Sequence, residues 1–208
     1  MASRIPKIFD RHKICIICEG AEEYEYLKKL NSLNVWSHKY DVRLISADGN
    51  GNIPARYQNA YQNGSYEIIF IFCDTDRKPY EQYSDIKRKI NEFHGTETAS
   101  NHVILFGNPC TMQVILQHYG NVSLTKSNKK KNSSIIEEYT GIKGYKAKKE
   151  QREVLFEMIT VDNYKIMCER VKLLSKDDEE VGSSNFNILM ERLESENSQW
   201  INMINEEL

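Results

Sequence analysis

Three carboxylates stand directly behind apolar runs in this sequence. Glu19 follows KICIIC, and Asp74 and Asp76 follow EIIFIFC. Runs of this kind are typical of buried strands, and alternate side chains beyond a strand end can point to one side. Crowded carboxylates repel each other unless a cation neutralises them, and hard oxygen ligands suit Mg²⁺ or Mn²⁺. The pattern predicts a divalent-cation site, with the alternative that Asp74 caps the next segment and Asp76 pairs with Arg77.

The first 125 residues alternate apolar runs with helical patterns, and this alternation decides where the carboxylates lie. Strands are predicted at residues 13–18, 42–47, 67–73 and 102–106, and helices at 21–33, 54–62, 80–93 and from 109 onward. Strands separated by helices favour a parallel sheet, because parallel neighbours need crossover connections. In a flavodoxin-like 2-1-3-4 order, strands one and three would be neighbours roughly 5 Å apart. The three carboxylates would then share one crevice at the carboxyl edge of the sheet.

No strand pattern continues beyond residue 125. Helical segments are predicted there at residues 135–139, 151–174 and 186–208, with breaks at KSNKKKN and SKDDEEVGSS. We therefore predict an α/β domain over residues 1–125, and a basic loop with a helical extension over residues 126–208 that packs on this domain.

The strand ends also carry a family resemblance. A strand ending in Glu-Gly, followed by a later strand ending in Asp-x-Asp, resembles the Toprim domain of topoisomerases, primases and small nucleases. More narrowly, the whole chain is similar to the RloB-like (AbiLii-type) Toprim proteins of bacterial phage defence. The matching pieces occur in the family's order and are ICEGAEEYEYLKKL (17–30), ADGNGNIPARY (47–57), IFCDTDR (71–77), GNPCTMQVILQHY (107–119), GYKAKK (144–149) and SSNFNILMERL (183–193).

The resemblance implies both a fold and an activity. The fold would be a Toprim-like Rossmannoid parallel sheet of about four strands flanked by helices, with a helical C-terminal extension. The activity would be metal-dependent hydrolysis of phosphodiester bonds in DNA or RNA, as the effector of an abortive-infection system. Glu19 would act as general acid/base or metal ligand, and Asp74 and Asp76 would hold Mg²⁺ or Mn²⁺.

One departure from the family pattern keeps a second hypothesis open. The family usually has Phe-Glu after Asn-Pro-Cys, whereas Thr111 and Met112 follow here, so one acid is lost. The alternative is a catalytically weak or inactive Toprim-fold protein that serves as a nucleic-acid-binding or regulatory subunit. In either case the resemblance implies an ABC-type or AAA-type ATPase partner, and it is compatible with a homodimer.

Charge divides the chain into three stretches. Residues 1–125 carry 14 Lys/Arg and 14 Asp/Glu; residues 126–152, here called the basic belt, carry nine against three; and residues 153–208 have a net charge of −8. The belt could contact phosphate backbones, be a solvated loop, or be covered by the acidic C-terminal stretch. The residues predicted to contact substrate are Arg77, Lys129, Lys130, Lys131, Tyr145, Lys146, Lys148 and Lys149. The resemblance places Tyr145 and Lys146 nearest the site, and Arg77 could instead pair with Asp76 or Asp85.

Composition predicts a cytoplasmic protein. No window approaches the roughly 18 uninterrupted apolar residues of a membrane helix, and the N-terminus lacks an apolar segment of signal-peptide length. The five cysteines have no framework spacing, which favours a reducing compartment.

The DGNGN stretch (48–52) begins like a calcium loop, but Asn59 stands where the bidentate glutamate belongs, so we predict a turn. His118 lies on an apolar helical face, which favours a packed histidine over a catalytic base.

Overall fold

The computed structural model describes residues 11–75, 82–125 and 132–208. Its first part alternates strands and helices. These elements are β1 (His12–Cys18), α1 (Ala21–Ser32), β2 (Tyr40–Ser46), a 3₁₀ turn (Asn50–Asn52), α2 (Ile53–Gln62), β3 (Ile68–Asp74), α3 (Gln82–His94), α4 (Ala99–Val103), β4 (Ile104–Gly107), α5 (Met112–Ile115) and a second 3₁₀ turn (Leu116–His118). The helices that follow are α6 (Ser133–Thr140), α7 (Lys149–Glu157), α8 (Val161–Lys172), α9 (Asn187–Glu194) and α10 (Gln199–Glu207).

The four described strands form one all-parallel sheet in the order β2-β1-β3-β4. This arrangement confirms the predicted α/β class and the 2-1-3-4 order. All seven residues of β3 are buried, as expected for a central strand covered on both faces. In the register of β1 and β3, Cys18 pairs with Phe72, so the carboxyl ends of these two strands meet at the same edge.

The C-terminal helices complete the core of the sheet. Phe186, just before α9, lies with its ring centroid 4.9 Å from that of Phe72 in β3 and 5.9 Å from that of Tyr26 in α1. Ser184 forms an antiparallel bridge with Gly107 at the end of β4. Buried apolar residues from both parts of the chain therefore belong to one continuous core.

Both long C-terminal helices predicted from the sequence are divided in the structure. The one predicted over residues 151–174 ends with α7 and restarts as α8, because Thr160 caps the new helix. Its hydroxyl oxygen accepts from Asn163 N, and Asn163 Oδ1 accepts from Thr160 N. The segment predicted over residues 186–208 divides into α9 and α10 where Ser195 Oγ accepts from Asn197 N, a local bond that competes with helix continuation.

The strand predicted over residues 102–106 begins later than expected. His102 and Val103 complete the short helix α4, and β4 starts at Ile104. The Asn91 side chain holds the start of α4, since its Oδ1 accepts from Ser100 N at 2.7 Å. Within the described ranges, no helix combines the length and apolar character needed to cross a membrane.

Candidate functional site

Glu19 and Asp74 meet at the carboxyl edge of the two central strands. Glu19 directly follows β1, and Asp74 is the last residue of β3. The backbone N–H of Asp74 donates to Glu19 Oε2 over 2.9 Å, and Asp74 is only 7% exposed. The Glu19 carboxylate therefore contacts the backbone at the end of β3, because adjacent parallel strands end at the same edge. The placement of both carboxylates around one cation stays a prediction. The third predicted carboxylate, Asp76, lies outside the described residues.

Thr111 connects this pair to a further carboxylate. Its backbone N–H donates to Asp74 Oδ1 over 2.7 Å, and its hydroxyl donates to Glu23 Oε1 over 2.7 Å. Glu23 Oε2 accepts from Gly20 N at 3.0 Å, and Glu23 is 4% exposed. The site thus contains four linked residues, here called the acidic edge: Glu19, Glu23, Asp74 and Thr111. The threonine that departs from the family pattern therefore orients two of the three carboxylates.

Tyr145 ties the basic belt to the start of α1. Its side chain is 3% exposed, and its hydroxyl donates to Glu22 Oε1 over 2.6 Å. A second contact reinforces this docking, because the Arg152 guanidinium donates two hydrogen bonds of 2.8 Å to the Glu25 carboxylate. The sequence predicts Tyr145 as a substrate contact, yet its buried hydroxyl holds the segment against α1. The residue lies beneath the belt surface and positions the lysines next to it.

The described lysines of this segment face solvent. Lys146, Lys148 and Lys149 are exposed, and Gln151 Oε1 holds the backbone N–H of Lys146 at 2.8 Å. The Tyr145 anchor places these lysines next to α1, the helix that begins two residues after Glu19. The predicted contacts Arg77, Lys129, Lys130 and Lys131 lie outside the described residues.

The acidic C-terminal stretch makes a described contact elsewhere. Asp178 accepts from Lys87 Nζ at 2.6 Å and from the Tyr83 hydroxyl at 3.0 Å, and both donors belong to α3. At Asp178, therefore, the stretch packs beside α3. Its predicted alternative role as a cover for the basic belt stays a prediction.

The charges of the acidic edge help to raise the pKa values of two buried thiols. Burial raises the pKa of Cys73 well above its usual value, and the charges of Glu19, Asp74 and Glu23 raise it further. Burial likewise raises the pKa of Cys18, with Glu23 as the next contributor. The described carboxylates therefore contribute a negative potential at this edge.

The donor chemistry of the edge fits a hydrated divalent cation. Among the residues that the structure describes, no group of three or more His, Cys, Asp or Glu side chains is arranged to hold a metal ion. Glu19 and Asp74 nevertheless supply two hard oxygen donors, and Mg²⁺ typically takes one or two carboxylates while keeping several waters. A carboxylate has about four acceptor positions, so hydrogen bonds from backbone N–H groups are compatible with cation binding.

Sequence reasoning missed Glu22, Glu23 and Thr111 as site residues. For Glu23 a signal was present, because it shares one helical face with the buried residues Leu27 and Leu30 at spacings of four and seven. A charged residue on an apolar face indicates a buried carboxylate that requires partners. No local signal indicated Thr111, whose two partners lie 37 and 88 residues away along the chain.

Comparison with known proteins does not identify a family for this chain. The chain matches no protein-family model, no curated protein and no solved structure. The described residues place the Glu19 carboxylate against the end of β3 and hold the Tyr145 segment, with its exposed lysines, against α1.

Proposed function

We propose that this protein is a Mg²⁺-dependent Toprim nuclease of the RloB-like type, which hydrolyses phosphodiester bonds in DNA or RNA. The observation that carries the proposal is the contact of 2.9 Å between Asp74 N and Glu19 Oε2 at the carboxyl edge of two adjacent parallel strands. Ligands of open α/β sheets bind at this edge, next to the point where the strand order reverses. Here that point lies beside β1, the strand that Glu19 follows.

Glu19, Asp74 and Thr111 each have a task in the proposed reaction. Glu19 and Asp74 would hold Mg²⁺, which when bound polarises a phosphoryl oxygen and stabilises a leaving alkoxide. Water oxygen bonds to phosphorus while the bond from phosphorus to the leaving sugar oxygen breaks. One proton passes from the water to that oxygen, and we assign Glu19 to take and return it. The Asp74 N–H fixes Glu19, and the Thr111 N–H fixes Asp74.

The exposed lysines beside α1 supply the substrate surface. Lys146, Lys148 and Lys149 would contact backbone phosphates, which fixes the nucleic acid without reading its sequence. Their position is set by the buried Tyr145 contact with Glu22. Because lysines bind phosphate as point charges, this surface is expected to accept many sequences.

The Asp74→Asn variant tests the proposal. Asparagine keeps an acceptor for Thr111 N–H but removes the charge that holds the cation. Cleavage of labelled DNA and RNA oligonucleotides in Mg²⁺ or Mn²⁺ should fall by more than about a hundredfold, since even outer residues of metal sites change activity by 10–100-fold. Mn²⁺ at 100 times its Kd should also stabilise only the wild type, by about 2.7 kcal/mol in thermal melting.

The matched control is Asp162→Asn, which neutralises an exposed aspartate outside the acidic edge. It should cleave and respond to Mn²⁺ like the wild type. Equal cleavage by the wild type and Asp74→Asn would refute the assigned role of Asp74.

A second candidate function is a Toprim-fold subunit with little activity of its own, which binds nucleic acid and regulates. The observation in its favour is Met112, a fully buried apolar side chain at the position where the family usually has an acid. This candidate predicts nucleic-acid binding without cleavage by the isolated chain in Mg²⁺ or Mn²⁺. Both candidate functions carry the same further proposals. These are an ABC-type or AAA-type ATPase partner, a homodimer, a cytoplasmic location and a role in abortive infection.

A further inference from the structure

Two buried polar atoms at the carboxyl edge of the sheet have no hydrogen-bond partner within the described ranges. They are Asn50 Oδ1, in the turn after β2, and Thr75 Oγ1, directly after β3. Thr75 is 7% exposed. An unsatisfied buried polar group costs about 1–3 kcal/mol, and native structures contain few of them. A ligand bound at this edge would supply the missing partners.

Thr75 directly follows Asp74 at the carboxyl end of β3. Its backbone N–H donates to Gly107 O over 3.2 Å, so the ladder of β3 continues through this residue. The Thr75 hydroxyl therefore belongs to the same strand end as Asp74, whose backbone N–H contacts the Glu19 carboxylate.

The turn that contains Asn50 follows β2, the neighbour of β1, and lies beside Glu19. The neighbouring Gly49, with φ at 119°, donates its N–H to Glu19 O over 2.8 Å. The Asn52 side chain fixes the turn, since its Nδ2 donates to Ala47 O over 3.0 Å. Gly49 and Asn52 are thus occupied in holding the turn against Glu19. The Asn50 Oδ1 atom makes no such contact among the described residues.

The chemistry of the two atoms selects the ligand. An amide oxygen only accepts hydrogen bonds, so Asn50 Oδ1 cannot pair with a phosphate oxygen, which is also an acceptor. A hydrated divalent cation presents many O–H donors and is attracted by the adjacent carboxylates. We propose that Asn50 and Thr75 form the outer shell of the Glu19–Asp74 site, accepting hydrogen bonds from the waters of Mg²⁺ or Mn²⁺. This inference rests on the proposed function, because it requires the cation at Glu19 and Asp74.

The test is calorimetric titration of MnCl₂ into the full chain without nucleic acid. Thr75→Val and Asn50→Leu should each weaken Mn²⁺ binding by about tenfold, the lower end of the range for outer-shell residues. Thr75→Ser and Asn50→Asp keep an acceptor, so Mn²⁺ affinity should stay at the wild-type value or above. The controls, Ser100→Ala and Asn187→Leu, also remove buried atoms without described partners but lie in α4 and α9, and they should change nothing.

The outcomes separate this inference from the proposed function. If the wild type does not bind Mn²⁺, both are overturned. If it binds Mn²⁺ and Asp74→Asn does not, while Thr75→Val and Asn50→Leu bind like the wild type, only the outer-shell inference is overturned. Asn50→Asp binding as weakly as Asn50→Leu would also overturn it, because Asn50 would then act as a donor. Thermal melting without cation checks each fold, and Asn50→Ala replaces Asn50→Leu if leucine unfolds the turn.

Discussion

Helix α1 takes part in two buried polar networks of opposite character. At its start, Glu23 joins the acidic edge through the Thr111 hydroxyl. One turn later, the Tyr26 hydroxyl and His118 Nε2 are 3.0 Å apart, and His118 Nδ1 lies 3.2 Å from Asn163 Oδ1. We call Tyr26, His118 and Asn163 the histidine network. It links α1 to the start of α8, whereas the acidic edge faces the end of the sheet.

The histidine network is neutral, and its donors and acceptors match. Asn163 Oδ1 also accepts from Thr160 N at 2.9 Å, which identifies this atom as the oxygen. His118 Nδ1 must therefore donate to it, and Nε2 accepts from Tyr26. Burial lowers the pKa of His118 to about 4, so the ring stays uncharged at neutral pH. His118 is thus a packed histidine, as its apolar helical face predicted.

The contrast teaches how neutral and charged polar burial differ. A neutral network with matched partners stabilises the packing of α8 on α1. The acidic edge gathers carboxylates, and the repulsion between their like charges adds to the cost of burying them. Perturbing each network should therefore produce different responses to pH, to cations and to salt.

The largest expected effect on stability is a fall in the free energy of unfolding at low pH, which the histidine network causes. The folded pKa of His118, about 4, lies below its ordinary value of 6.5, so between these values the unfolded chain binds a proton that the folded chain does not. His118 therefore contributes fully above pH 6.5, and this contribution is lost as pH falls toward 4, by about 3 kcal/mol. Urea unfolding at a series of pH values measures it.

A matched pair of variants isolates this contribution. His118→Gln should flatten the fall in the free energy of unfolding between pH 6.5 and 4, whereas His38→Gln, which changes an exposed histidine, should leave it as in the wild type. The same slope in His118→Gln as in the wild type would show that other groups cause the acid sensitivity.

An intermediate effect is expected from the Thr111 hydroxyl in the acidic edge. Thr111→Val keeps the N–H that binds Asp74 but leaves the buried Glu23 carboxylate without this donor. The free energy of unfolding should fall by about 2 kcal/mol, the usual range for a hydrogen bond to a charged group. Thr111→Ser keeps the hydroxyl and loses only a methyl group, so it should cost less.

A double-mutant cycle with Glu23→Gln assigns the Thr111 effect to this contact. Measured by urea unfolding, the coupling energy between positions 111 and 23 should exceed about 1 kcal/mol. Additive losses would mean that Thr111 acts only through its packing.

The smallest effect is expected at the exposed lysines that the Tyr145 contact places beside α1. Replacing Lys146, Lys148 and Lys149 by glutamine should weaken DNA and RNA binding alike for all sequences. It should also flatten the plot of log affinity against log salt by about 0.7 to 0.9 for each phosphate that is no longer neutralised by a lysine. Fluorescence anisotropy across a salt series measures both quantities.

A triple variant with the same change in net charge tests whether location matters. Lys13, Lys165 and Lys172 are exposed on other elements, and their replacement by glutamine should keep the wild-type salt slope. Equal slopes for the wild type and the variant at Lys146, Lys148 and Lys149 would show that this segment is only a solvated loop.

Local patterns in the sequence were sufficient for the framework of the fold. The apolar runs before Glu19 and Asp74 predicted the two central strands, and the intervening helices predicted a parallel sheet. Because parallel strands end at one edge, the contact between Glu19 and the end of β3 followed from the strand order. The breaks within the long C-terminal helices were missed, since the helical period continues across Thr160 and its capping role was not recognised.

The sequence by itself determined the strand ends, the parallel sheet and the position of Glu19 and Asp74 in it, because these follow from periodicities of a few residues. Only the tertiary structure decided that Tyr145 is buried against Glu22, 123 residues away, and that Thr111 joins Asp74 to Glu23. Contacts between distant residues depend on how the helices pack on the sheet. Hydrophobic period and turn chemistry specify each element but carry no information about which side chain will face it across the core.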